Sequence, residues 1–153
     1  SISLDPKFNI ATIFFPKTEE QIYTVQLLPG AVTDFFETIN DTLIYRVTTK
    51  ANSEYGSLAL TLSNVKQLPI IVQLVSDTFK VLSEKYLLEN DPVYFDYITP
   101  GLYYVRIVFD ENKNGIWDTG NFLQRLAPEK IIYYPSKIEV RANWSLNETF
   151  ILE

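Results

Sequence analysis

Ser57-Leu58-Ala59-Leu60-Thr61-Leu62 and Ile138-Glu139-Val140-Arg141-Ala142-Asn143-Trp144 alternate apolar residues with small or polar ones. Successive side chains of a strand point to opposite faces, so a period of two reads as strands with one face in a core and the other in water. The first stretch sends Leu58, Leu60 and Leu62 inward, and the second sends Ile138, Val140, Ala142 and Trp144. Outward from these, β-branched and aromatic runs recur at Phe8 to Phe15, Gln21 to Leu28, Thr42 to Thr49, Leu68 to Val75, Val93 to Tyr97, Leu102 to Phe109 and Thr149 to Leu152, with a weaker run at Phe79 to Leu87. Pro29-Gly30, Asn40-Asp41, Tyr55-Gly56, Asn90-Asp91-Pro92, Pro100-Gly101 and Asn114-Gly115 supply the turns between them. This spacing predicts an all-β, Greek-key β-sandwich of about ten strands. Helical period is confined to a turn or two at Ala31 to Glu37, so βαβ units are not expected.

The chain has 153 residues, the size of one ordinary domain, and is read as a single β-sandwich domain over 1–153. The alternative boundary, near Asn52 to Gly56, would set off a minor N-terminal Ig-like piece over 1–52. A net charge of −6 argues against nucleic acid or anionic lipid as a partner, because both are bound through clustered Lys and Arg. No apolar run approaches the ~20 residues that span a bilayer as a helix, so no transmembrane segment is expected. Cysteine is absent, which removes disulfides and thiol chemistry and leaves the compartment open. Methionine is absent even at position 1, so the chain is expected to be a fragment of a longer precursor.

Without His or Cys, nucleophile systems built on imidazole or thiolate cannot form, nor can zinc sites of those ligands. A glycosidase needs only two carboxylates, but no phosphate loop or nucleophile elbow accompanies the 19 acidic residues, and the chain is not expected to be an enzyme. The sharpest motif is Asp110-Glu111-Asn112-Lys113-Asn114-Gly115-Ile116-Trp117-Asp118-Thr119-Gly120. Side-chain oxygens at Asp110, Asn112, Asn114 and Asp118, with the Ile116 carbonyl and a bend at Gly115, form the front half of a calcium loop. Asn121 stands where a strong site has a bidentate Glu, so calcium affinity is expected to be modest. A second reading needs no metal: Asn114-Gly115 between apolar runs is a hairpin turn held by its own Asp and Asn side chains.

Tyr103-Tyr104 and Tyr133-Tyr134, with Tyr94, Tyr97, Trp117 and Trp144, suit either core packing or a sugar-stacking platform. Only one of each adjacent Tyr pair can face the core, so some Tyr must face outward. Asn-x-Ser/Thr sequons begin at Asn40, Asn143 and Asn147.

The run Ile98-Thr99-Pro100-Gly101-Leu102-Tyr103, continuing into the Asp110 loop, resembles the strand and Asp/Asn-rich loop of prealbumin-like and Cna-B-type sandwiches. Pro29-Gly30-Ala31-Val32-Thr33-Asp34-Phe35, Asn40-Asp41-Thr42, Asn112-Lys113-Asn114-Gly115-Ile116-Trp117-Asp118-Thr119-Gly120, Pro128-Glu129-Lys130 and Val140-Arg141-Ala142-Asn143-Trp144 resemble the C-terminal region of Ig-like-domain lipoproteins of the Bacteroidota. That resemblance implies a prealbumin-like or Ig-like sandwich in an extracytoplasmic, outer-membrane-associated protein, periplasmic or at the cell surface, with a lipid anchor on a preceding segment. It implies other envelope proteins as partners and no catalytic activity. It also implies that Thr42, in Asp41-Thr42-Leu43, is an O-glycosylation acceptor. The expected role is therefore a non-catalytic structural or protein-interaction module, and the alternative is a carbohydrate-binding module using exposed Tyr and Trp.

Overall fold

A computed structural model describes residues 1–5 and 10–152, so Phe8 of the expected Phe8 to Phe15 strand lies outside the described residues. Among those residues there are twelve strands, two more than the turn spacing predicts, and no α-helix. The two extra are the short strands Ile2–Asp5 and Ile131–Tyr133, too brief to show a period in the sequence. The chain divides into two compact units, Ser1–Ala51 and Asn52–Glu153.

The first unit holds two antiparallel ladders. Strand β1 (Ile2–Asp5) pairs with β2 (Ile10–Ile13), and β3 (Ile22–Leu27) pairs with β4 (Leu43–Thr48). The stretch Ala31 to Glu37 is not helical: an isolated bridge joins Thr33 to Ile39, and the Asp34 carboxylate accepts the N–H groups of Phe36 and Thr38. A side chain that offers the backbone such local bonds competes with a helix and wins over a span this short.

The second unit is a β-sandwich. One sheet runs β10 (Ile131–Tyr133), β9 (Gly101–Phe109), β6 (Ile70–Ser76), β7 (Val81–Leu87), with β11 (Ile138–Val140) also on β9. The other runs β12 (Ser145–Ile151), β5 (Gly56–Ser63), β8 (Val93–Ile98), with β12 parallel to β5. After β6 and β7 the chain crosses to β8 in the opposite sheet, then returns as β9 beside β6, a Greek-key path.

The alternation that announced these strands builds the core. Leu58, Leu60, Leu62, Val93, Phe95 and Phe150 face Val72, Leu74, Val105, Ile107, Ile138 and Val140 in one cluster. Tyr103 enters the same core and its hydroxyl donates to the Thr99 carbonyl, which pins the turn before β9. Strand β6 is buried on both faces from Ile70 to Val75, and on its outer face Gln73 bonds Glu84 of β7 and Arg106 of β9.

Strand β11 departs from its sequence reading. Ile138 and Val140 point inward as expected, but the ladder stops at Val140 opposite Gly101, where the partner strand begins. With no partner beyond that point the chain turns at Asn143, whose φ is 56°, and Ala142 and Trp144 are exposed.

Val140 is 1% exposed, so Val140→Asp places an unpaired charge in the core and is expected to unfold the second unit. Arg141 is exposed and pairs with Glu139 at 3.0 Å, a solvent-screened contact that adds little to stability. Arg141→Ala should therefore move a urea midpoint only slightly, and equal effects at the two positions would contradict the assigned facing.

Candidate functional site: the Asp110 loop

Strand β9 alternates to its end, with Tyr103, Val105, Ile107 and Phe109 facing the core. Asp110 is next in that alternation, on the outer face beyond Val108, yet only 1% of it is exposed. A buried carboxylate needs donors for its oxygens, and the loop provides them. Asp110 Oδ2 accepts the Gly115 N–H at 2.8 Å and Oδ1 accepts the Asn114 N–H at 3.1 Å. Gly115, at φ 78°, and Lys113, at φ 62°, are both left-handed, which turns these N–H groups inward.

Asn112 and Asn114 repeat the motif on a smaller scale. Asn112 Oδ1 accepts the Asn114 N–H at 3.0 Å, and Asn114 Oδ1 accepts the Ile116 N–H at 2.9 Å. Both amides then donate through Nδ2 to Asp118 Oδ2, Asn114 at 2.7 Å. The structure thus brings Asp110, Asn112, Asn114, Ile116 and Asp118 into one turn.

One residue of this site escaped the sequence reading. Glu129, 9% exposed, accepts the Glu111 N–H through Oε1 at 2.9 Å and the Asp118 N–H through Oε2 at 3.1 Å. Its own N–H donates to the Asp118 carbonyl, and its carbonyl accepts the Trp117 indole N–H at 3.4 Å. Glu129 therefore clamps both ends of the turn. Lying 19 positions after Asp110, outside any contiguous motif, it carries no local signal beyond being an acid just after Pro128. Asn121, by contrast, faces away from the turn, accepting the Gln124 N–H and bridging Leu126.

Burial pushes the Asp110 carboxyl up, but the Gly115 N–H, the Tyr86 hydroxyl, and the Asn114 and Lys113 N–H groups together hold it below its ordinary value. Trp117 folds back toward the sheet, with the Arg106 guanidinium 5.8 Å from its ring centre. Beyond it, the segment from Asn121 to Leu126 closes into a small bridged loop that holds Phe122 and Leu123 at 95% and 92% exposure. Gly120 permits this closure: a Cβ there would sit 2.6 Å from the Leu126 carbonyl oxygen.

Among the described residues, no three His, Cys, Asp or Glu side chains are grouped closely enough to hold a metal ion. A cation in this turn would have to rely on amide and main-chain oxygens as well as carboxylates. The other candidates are dispersed. Tyr104 stacks on Phe79 and meets Tyr133 edge to face on the outer side of the five-stranded sheet. Tyr94, Tyr97 and Trp144 are exposed, whereas Tyr103 lies in the core. Thr42 is exposed just before β4. The Asn40 amide nitrogen donates to the Leu28 and Asp41 carbonyls, so that side chain is engaged in its own loop. No helix of the described residues is long and apolar enough to cross a membrane. The chain matches no protein-family model and no curated protein.

A depressed carboxyl contributes stability that is present above its unfolded pKa, near 3.9, and lost as pH falls through its lower folded value. Asp110→Asn removes that contribution and faces the Gly115 N–H with an amide that must rotate to accept it. The variant's melting temperature is expected to lie below wild type at pH 7, with the gap closing below pH ~4. A constant gap across pH 2–7, measured by circular dichroism, would contradict ionisation of Asp110 in the fold.

Proposed function

We propose that the chain is a non-catalytic structural or protein-interaction module of a cell-envelope lipoprotein, and that the 110–130 loop is its binding element. The observation that carries this reading is the exposure of Phe122 and Leu123 at the tip of a loop whose base is staked down by two buried carboxylates. Large apolar side chains held almost wholly in water on a pre-organised turn act as anchors that fill a partner's pocket, with little ordering cost on binding. The non-catalytic part is supported by the missing His and Cys. The envelope setting rests on the resemblance carried by Asn112 to Gly120 and Val140 to Trp144.

Phe122→Ser combined with Leu123→Ser is expected to abolish co-purification of the parent protein's partners from native membranes while changing the melting temperature by less than about 2 °C, since surface substitutions shift stability little. Undiminished co-purification would refute the binding role of the tip.

We further propose that the same turn takes calcium. Asp110, Asn112, Asn114, Asp118 and the Ile116 carbonyl are its oxygen set, and Asn121, turned to the Gln124 N–H, adds none. Calcium competes with the two amide N–H groups for the Asp118 oxygen, which keeps affinity in the weak extracellular range. A ligand that binds only the folded loop raises the melting temperature, and the rise grows with the logarithm of its concentration above Kd. A rise is expected in ~5 mM calcium over EDTA, and it should vanish in Asp118→Ala. Identical melting temperatures in the two buffers would reduce the turn to a metal-free one.

A further inference from the structure

At the opposite end of β9 from the Asp110 loop, three departures from regular strand geometry converge on one small groove. Strand β8 alternates from Val93 to Phe95, after which Asp96 and Tyr97 both face outward before Ile98 turns in again. The ladder with β5 steps from Leu58 opposite Phe95 to Gly56 opposite Ile98, so β8 carries one residue more than its partner. The extra residue is accommodated at Tyr97, with φ 55°, a conformation that bulky residues rarely adopt. Bulges of this kind re-aim side chains, and this one puts a carboxylate and a phenol side by side on the solvent face.

The second departure is at Gly56, where a Cβ would lie 2.5 Å from both the Arg141 carbonyl oxygen and Val140 Cγ1. Only glycine lets the turn after β11 approach so closely. The third is the left-handed Asn143 in that turn, at φ 56°. Main-chain bonds then lock the pieces together: Asn143 N–H to the Tyr55 carbonyl at 2.9 Å, and Ser57 N–H to the Trp144 carbonyl at 2.9 Å. The Ser57 hydroxyl meets that of Ser145 at 3.0 Å.

The result is a concavity of about 300 Å³ lined by Tyr55, Tyr97 and Trp144 together with Ser57, Asp96 and Asn143. Tyr55 and Tyr97 stand edge to face, 6.0 Å between ring centres. Tyr97 is 64% exposed and Trp144 54% exposed, so much of both rings is open to a ligand. The nearby cation is already engaged: Arg141 lies over the Trp144 ring at 5.2 Å and pairs with Glu139.

We propose that this groove binds a neutral saccharide. A sugar ring has an apolar C–H face that rests on aromatic rings and a rim of hydroxyls that needs both donors and acceptors. Trp144 and the tyrosines supply the first, and Ser57, Asp96 and Asn143 the second. Asp96, on a chain of net charge −6, disfavours phosphorylated or uronic sugars. Sites of this size gain specificity from a few placed polar groups against an aromatic wall, and the three backbone departures hold those groups before any ligand arrives. This inference does not depend on the role proposed for the 110–130 loop.

The test is affinity electrophoresis of the intact chain through gels containing mannan, xylan or laminarin, with polygalacturonate as the anionic control and choline competition as the cationic one. Retardation by at least one neutral polysaccharide is expected. Trp144→Ala should weaken it at least tenfold with little change in melting temperature, because the hydrogen bonds at that position are made by its backbone and the ring's contact with Arg141 is at the exposed surface. Tyr97→Asn should also weaken it, since Asn tolerates the left-handed backbone and keeps the bulge. The Phe122→Ser, Leu123→Ser variant should bind sugar like wild type. No retardation by any neutral polysaccharide, retardation untouched by Trp144→Ala, or a preference for polygalacturonate or choline would each overturn the proposal.

Discussion

Removing an ionised carboxylate from water costs several kcal/mol unless its oxygens are met by donors, and Asp110 is almost wholly removed from water at the end of a core strand. Its partners are the N–H groups of Gly115 and Asn114 and the hydroxyl of Tyr86 on β7. That need shapes the chain after β9. The left-handed residues Lys113 and Gly115 turn the N–H groups inward, and the turn returns the chain to Glu129, whose carboxylate closes it. From Glu129 the chain is placed to begin β10 against β9. Phe109 N–H, just before Asp110, donates to the Lys130 carbonyl and completes the seam.

The two ends of the sandwich use different means to hold side chains away from the core. At the Asp110 end, buried charge and local hydrogen bonds stiffen a long excursion that exposes Phe122 and Leu123. At the other end no buried charge is involved. A bulge, a close glycine contact and a left-handed Asn present aromatic and polar groups on the rim. Both arrangements place left-handed residues where regular strands stop or shift register, which is where a sandwich can afford irregular backbone.

Much of the architecture was legible because the core of the second unit depends on period-two patterns. Leu58, Leu60 and Leu62 announce β5, and Ile138 with Val140 announces β11. Trp144 was not legible: its alternation with Val140 is intact in the sequence, but the ladder ends where β9 begins, a fact of pairing between distant segments. The paired outward residues Asp96 and Tyr97 were hidden for the same reason, since a bulge is set by the partner strand. In the loop, Asp110, Asn112, Asn114 and Asp118 were visible through their spacing, whereas Glu129 enters through tertiary closure.

The central claim is that the buried Asp110 carboxylate organises the loop in the folded chain. Amide hydrogen exchange followed by NMR reads it residue by residue, because an N–H bonded to a buried acceptor opens only with the structure around it. The N–H groups of Gly115, Glu111 and Asp118 should exchange as slowly as those in the middle of β9, although none of the three lies in a strand. Exchange of Gly115 at the rate of the exposed loop tip would contradict the account.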